Sequence, residues 1–233
     1  PRDLRYEKRE LRAGKVRIDV IYRRVIFREL VEKLDEVQDF IRAYQDKSVC
    51  VVNPLRSRLA ADKSLLSLLT HPASDNLFTE EENAARRAYL PWTRRVIDVE
   101  KQFRGKVARL RELIIGHQDA LVLKPSDGYG GKNVYLGCET KPAAWRKLTD
   151  AALDQSGAWV VQEFVNIPRM TAPVVEGDCV RIVSKKVNVN PFVFNGDYAG
   201  GIARLSDSSV INVSAGGGLI PTVGYAPREA DDY

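Results

Sequence analysis

The sequence predicts an α/β (α+β) chain with mixed and antiparallel sheets, arranged as two subdomains. Three observations carry this. Strand and helix signals alternate through residues 1–115. A glycine-rich turn, Gly128-Tyr129-Gly130-Gly131, separates a run that closes at Lys124 from one that opens at Asn133. Beyond Pro173 the chain is strand-rich, punctuated by Asn195-Gly196-Asp197 and Gly216-Gly217-Gly218. The expected division is an α/β subdomain over 1–115 and a second subdomain over 116–233. A length of 233 residues, 44% of them apolar, suffices for one large or two small cores.

In chain order, Val16 to Tyr22 alternates as a strand. Ile26, Leu30, Leu34, Val37 and Ile41 recur at helical spacing, so Ile26 to Tyr44 reads as a helix. Ser48 to Val52 is a short strand closed by the turn Asn53-Pro54, and Arg56 to Leu69 is a second helix. Thr79 with Glu82 forms a capping box for a third helix, which stops at Leu90-Pro91. Val96 to Ile115 reads as a fourth helix, weakened by Gly105. Then follow strands at Ala120 to Lys124 and Asn133 to Leu136, a helix at Pro142 to Leu153, and a strong strand at Ala158 to Val165. Cys179 to Val187, Phe192 to Phe194 and Ser209 to Val213 are the later strands, and Arg228 to Tyr233 reads as a frayed end.

Composition narrows the function classes. The formal charge is +5, but bases and acids interleave, as in Arg28, Glu29, Glu32, Lys33, Asp35 and Glu36. Such mixing marks a solvated helix face. No aromatic-basic motif supports a nucleic-acid partner. Cys50, Cys138 and Cys179 are far apart and form no CxxC pair, which points to reduced thiols in the cytosol. No apolar run reaches the roughly 20 residues of a membrane span. The opening Pro1-Arg2-Asp3-Leu4-Arg5 lacks the apolar core of a signal peptide and reads like the inside of a domain, so a fragment is expected.

The chemistry centres on Lys124-Pro125-Ser126-Asp127-Gly128-Tyr129-Gly130-Gly131-Lys132. A loop of this kind can wrap backbone N–H groups around phosphate oxygens, since glycine permits close approach and positive φ. Lys124, its ammonium otherwise near solvent, would add a point charge. The spacing is not that of a Walker A loop, and a strand follows where a helix would be needed. A tight hairpin without ligand remains the alternative for the loop alone. Later, Trp159-Val160-Val161-Gln162-Glu163-Phe164-Val165 places two polar residues within an apolar strand. That segment suits an adenine ring with an acid near the amino or ribose groups, or equally an edge strand facing water.

Together, the strand-ending Lys-Pro, the small-residue loop and the later Val-Gln-Glu strand resemble the ATP-grasp fold, in which ATP lies between two subdomains. Asn53 to Leu59, leading to Asp62-Lys63-Ser64-Leu65-Leu66, is similar to the lysine-bearing segment of circularly permuted ATP-grasp proteins and of glutathionylspermidine synthase. Pro91-Trp92-Thr93-Arg94 and the tail, Gly200-Gly201-Ile202-Ala203-Arg204 with Ile211-Asn212-Val213, resemble the permuted group too. The resemblance implies a carboxylate–amine ligase that uses ATP and Mg2+ and works through an acyl phosphate on small-molecule or peptide substrates. Lys63, Lys124 and Arg204 would hold phosphates, Arg204 at the transferred group. Ser126, Gly128, Tyr129, Gly130 and Gly131 would form the lid, and Gln162, Glu163 and Val165 would hold adenosine. Asp19-Val20-Ile21-Tyr22-Arg23-Arg24 resembles a strand end of that group, where Arg23 or Arg24 would bind a substrate carboxylate. The sequence departs from the pattern at the metal. The Glu-x-Asn strand is expected upstream of this chain, and Asn188 and Asn190 precede Pro191-Phe192 where an aspartate is expected. Asn212 is the remaining candidate ligand. A non-catalytic nucleotide-binding or assembly module is the alternative.

Overall fold

A computed structural model describes residues 2–211, 217–220 and 222. Its contacts divide the chain into two compact units, Pro1–Leu65 and Leu66–Tyr233. Residue 115, where the sequence changes character, lies inside a helix of the second unit.

In the first unit, β1 (Leu4–Glu7), β2 (Glu10–Ala13) and β3 (Val16–Ile18) form an antiparallel meander. The β1–β2 turn uses Lys8 and Arg9 at φ 48° and 62°, a left-handed pair that ordinarily calls for Asn or Gly. β4 (Val20–Tyr22) pairs in parallel with β5 (Cys50–Val52). The strand expected over Val16–Tyr22 is therefore two strands in two sheets, parted at Asp19, whose carbonyl accepts from the Cys50 N–H at 2.8 Å. The helix expected over Ile26–Tyr44 is likewise split. α1 (Phe27–Glu32) and α2 (Gln38–Gln45) flank a 3-10 turn, and Lys33 leaves helical geometry at φ −118°, ψ 34°. The split lets Leu30, Val37, Phe40 and Ala43 enter one core with Leu11, Val49 and Val51. A third correction concerns Arg56–Leu69, where α3 (Arg58–Ala61) and α4 (Ser64–Leu69) are separate helices. The Asp62 carboxylate accepts from Ser64 N–H at 2.8 Å and Ser64 Oγ–H at 2.6 Å. This local bonding competes with helix continuation and restarts the chain as a cap.

In the second unit, α5 (Glu80–Tyr89) begins at the expected capping box. Glu82 N–H donates to Thr79 Oγ1 at 3.2 Å, and Thr79 N–H donates to Glu82 Oε2 at 2.8 Å. After β6 (Thr93–Arg95), the helix expected over Val96–Ile115 is largely absent. β7 (Glu100–Phe103) and β8 (Lys106–Arg109) form a hairpin, and only α6 (Leu110–Gly116) is helical. Arg104 and Gly105 take φ 48° and 80° at the turn, a primed geometry that Gly105 makes accessible.

β9 (Leu121–Pro125), β10 (Tyr135–Leu136), α7 (Pro142–Asp154) and β11 (Trp159–Glu163) complete the central layer. The sheet order is β10-β9-β11-β6, with every neighbouring pair antiparallel. One sheet face buries Leu121, Leu123 and Val161 against Leu110, Leu113 and Ile114 of α6 and Trp145 and Ala152 of α7. The closing sheet is β12 (Arg169–Glu176), β13 (Cys179–Phe194), β14 (Asp197–Ser206) and β15 (Gly218–Ile220). The two strands expected within β13 are one, its register shifting between Pro191 and Val193. Ser209 to Ile211 are not extended in a strand, and Asn212 and Val213 lie outside the described residues. Among the described residues no helix is long and apolar enough to cross a membrane.

Candidate functional site

Register places the central side chains. Lys124 stands opposite Val160, and Gln162 stands opposite Val122 on β9 and Thr93 on β6. Partners across an antiparallel pair share a face, as do residues two apart along a strand. Lys124, Gln162 and Thr93 therefore lie on the sheet face opposite α6 and α7. Lys124 Nζ donates to Gln162 Oε1 at 2.5 Å, and Gln162 Nε2 donates to Thr93 Oγ1 at 2.7 Å. Thr93 Oγ–H in turn donates to the Pro91 carbonyl at 2.9 Å. Thr93 is fully buried and Gln162 is 9% exposed. The row thus fixes one N–H of the Lys124 ammonium through a side chain that is itself held in place.

Glu163 is on the other face, as period-two alternation demands. Its carboxylate pairs with Arg104 of the β7–β8 turn at 2.9 Å. Gln162 and Glu163 are thus adjacent in sequence but aimed apart. Val165 is exposed and borders a cavity of about 340 Å³ together with Pro168, Val187, Asn188, Ser209 and Ile211.

The glycine loop follows Lys124 directly. Ser126 is buried, and its N–H donates to the Ala158 carbonyl at 2.8 Å. Gly128 is half-buried, while Tyr129 is exposed. Gly130 and Gly131 take φ 70° and 74°. A Cβ on Gly131 would sit 2.4 Å from Val210 Cγ1, so only glycine lets the loop lie against residues 207–211. Beside that contact, Lys186 Nζ donates to Ser209 Oγ at 2.6 Å, and Ser209 Oγ–H donates to Glu139 Oε1 at 2.5 Å.

Arg204 on β14 is half-buried and faces Asn188 in register. Among the described residues its guanidinium takes no hydrogen bond or ion pair. Lys186, Asn188, Asn190 and Arg204 share this closing-sheet face, and Asn190 Nδ2 donates to Asn188 Oδ1 at 2.7 Å. In the first unit, Lys63 is half-buried in the turn between α3 and α4. Arg23 is committed to local structure. It donates to the Val25 carbonyl at 2.5 Å, the Asn53 carbonyl at 3.0 Å and Ser57 Oγ at 3.2 Å. Arg24 is exposed.

Residues 2–206 match the family model described as circularly permuted ATP-grasp type 2. The chain belongs to that family. It is similar to an uncharacterized protein of Mycobacterium tuberculosis strain H37Rv, 26% identical over 231 residues that span 92% of this chain and 38% of the relative. An uncharacterized protein of Mycobacterium bovis matches to the same extent. A protein of Frankia casuarinae named "Putative glutamate--cysteine ligase 2-2" is 25% identical over 223 residues, 91% of this chain and 24% of that protein. The chain thus spans well under half the length of these relatives.

Thr93 of β6 closes the row, and it lies within Pro91-Trp92-Thr93-Arg94, to which the sequence pattern gives no role. Thr70, just after α4, supports it from outside the sheet, with the Thr93 N–H donating to Thr70 Oγ1 at 3.2 Å. Arg94 is 6% exposed, donates to the Thr93 carbonyl at 2.6 Å and lies over the Trp92 ring at 5.0 Å. Burial pushes its guanidinium pKa down. ATP-grasp proteins generally use ATP and Mg2+. Among the described residues no three His, Cys, Asp or Glu side chains cluster, and Mg2+ held with nucleotide phosphates calls for one or two carboxylates. On the closing-sheet face the groups beside Arg204 are the amides of Asn188, opposite it, and Asn190, whereas a hard dication calls for carboxylate oxygens. Asn212 lies outside the described residues.

Proposed function

We propose that this chain is the nucleotide-binding part of an ATP-dependent ligase that joins a carboxylate to an amine through an acyl phosphate. The observation that carries the reading is the Lys124–Gln162–Thr93 row, which ends at the start of a glycine loop. Lys124, Lys63 and Arg204 hold phosphate oxygens, and Gly128, Gly130 and Gly131, with Ser126 and Tyr129, form the lid. Gln162 positions Lys124 at the nucleotide and Val165 borders adenosine, whereas Glu163 is turned to Arg104 on the opposite sheet face. In the reaction, a carboxylate oxygen attacks the γ-phosphorus and ADP leaves. The amine then attacks the acyl carbon, phosphate leaves, and the amine gives up a proton. Positioning and charge neutralisation carry such a transfer without a side-chain nucleophile. Arg23 and Arg24 stand for the acid site, with Arg24 the one available to a ligand. The Frankia relative's name, which concerns glutamate and cysteine, supports the class of reaction. Three exposed free cysteines support a reducing, cytoplasmic setting.

A second reading, a nucleotide-binding module without catalysis, is favoured by one observation. Among the described residues in register on β13 and β14, the face that carries Arg204 presents Asn188 and Asn190 and no carboxylate. Calorimetry of the 233-residue chain with a non-hydrolysable ATP analogue, with and without magnesium, tests both readings. Binding indifferent to magnesium, with amide protection gained over 126–132, is expected. Tight binding that requires magnesium would overturn the assignment of the metal ligands to other segments. No nucleotide binding at all would overturn both readings. Carboxylate- and amine-dependent phosphate release by a protein of the relatives' length decides between them.

A further inference from the structure

The first unit contains a cavity of about 480 Å³ that no step above uses in full. Leu4, Ile18, Val20, Tyr22, Leu30 and Phe40 line it, and Leu30 and Phe40 are each 3% exposed at its floor. Val20 and Tyr22 of β4 are 63% and 67% exposed at its mouth, an unusual position for two large apolar side chains on one strand face. No carboxylate is among its described lining residues. Arg23 and Arg24 are among its lining residues, and their roles differ. Arg23 spends its donors on the carbonyls of Val25 and Asn53 and on Ser57, which ties the end of β4 to the segment after β5. Arg24 has no hydrogen bond or ion pair among the described residues, yet it borders the same cavity. The site thus combines an apolar floor, an apolar mouth and one uncommitted planar cation. The volume falls within the range of small-molecule pockets. A guanidinium is matched by a carboxylate in bidentate geometry.

We propose that this cavity binds an organic acid whose carboxylate sits on an apolar body, with the carboxylate at Arg24 and the hydrocarbon against Ile18, Val20, Leu30 and Phe40. As the acid substrate of a ligase the ligand rests on the function proposed above, but its binding does not. The polar body of glutamate would leave its second carboxylate facing the apolar floor without a partner, which disfavours it.

The test uses the 233-residue chain in the absence of nucleotide, with amide NMR shifts of residues 18–25 followed against octanoate, butanoate, octan-1-ol and glutamate. Octanoate is expected to bind and butanoate to bind more weakly, by about fourfold for each methylene that stays buried. Arg24→Ala is expected to weaken octanoate roughly tenfold, with octan-1-ol unaffected. Val20→Asp, which sets a like charge at the mouth, is expected to weaken octanoate in a chain whose circular dichroism is unchanged. Octan-1-ol binding as well as octanoate, glutamate binding better than octanoate, or Arg24→Ala binding octanoate normally would each overturn the proposal. Octanoate binding in a protein that never uses ATP would remove the ligase reading and leave this site intact. ATP-dependent turnover of other acids, with no shifts at 18–25, would do the reverse.

Discussion

Replacing Lys124 with methionine keeps most of the apolar stem and removes the ammonium that donates to Gln162. Gln162 is 9% exposed, and Lys124 is the donor its Oε1 faces at 2.5 Å. Stripping that donor leaves a nearly buried carbonyl oxygen without it, a loss of about 1–3 kcal/mol. Gln162→Leu removes the acceptor instead, and Thr93 keeps its bond to the Pro91 carbonyl. The two changes together should therefore cost less than their sum, with a coupling of about 1.5–3 kcal/mol for a charge-assisted bond. Trp92, Trp145 and Trp159 are the only tryptophans and all lie in the second unit, so their fluorescence in a urea titration follows that unit. A loss of this size corresponds to about 2–4 °C in melting temperature per kcal/mol for a chain in this length range. Lys124→Met within about 0.5 kcal/mol of the parent, the scale of an ordinary surface change, together with zero coupling, would refute the row as a fixed element. Lys124 would then be a solvated side chain with no pre-set position.

Gly131→Ala is expected to destabilise the second unit by about 1–2 kcal/mol from its left-handed backbone alone. The clash with Val210 adds to this, and urea unfolding beside a Tyr129→Ala control at an exposed site measures it. Thr79→Ala removes one half of the capping box and should cost about 1 kcal/mol, read as a lower melting temperature. Its failure to do so would make the box ornamental. Burial, with the Arg94 and Lys101 cations nearby, holds the His71 imidazole below its ordinary pKa, and its Nδ1 accepts from the Ala73 N–H at 3.1 Å. The folded chain then binds that proton more weakly than the unfolded chain. The stability from neutral His71 is complete above the unfolded value of about 6.5 and is lost as pH falls through the folded value. A proton NMR titration midpoint for His71 at or above the unfolded value would contradict this.

Signals confined to neighbouring residues were legible in the sequence. The capping box at Thr79 and Glu82, the helix from Pro142, and the Lys124 strand followed by glycines are short-range patterns, and the chain forms them where the residues say. The β1–β2 hairpin was not legible, because Lys8-Arg9 carries none of the usual turn chemistry. Nor was the β7–β8 hairpin, since Val96 to Ile115 has apolar residues at helical spacing whether or not a turn at Arg104-Gly105 interrupts them. Sequence marked Gln162 and Glu163 as a polar pair in an apolar strand, but it could not say that they part. Only pairing of β11 with β9 and β6 sets Gln162 between Lys124 and Thr93 and turns Glu163 towards Arg104. Residues 93, 124 and 162 are brought together by register between strands far apart in the chain. A one-residue slip in either pairing would send the same side chains to the opposite face. By itself the sequence marked Lys124, Gln162 and Glu163 as polar positions in apolar strands; the tertiary structure decided that Lys124 and Gln162 share a face and Glu163 does not, because a strand's two faces are assigned by its neighbours.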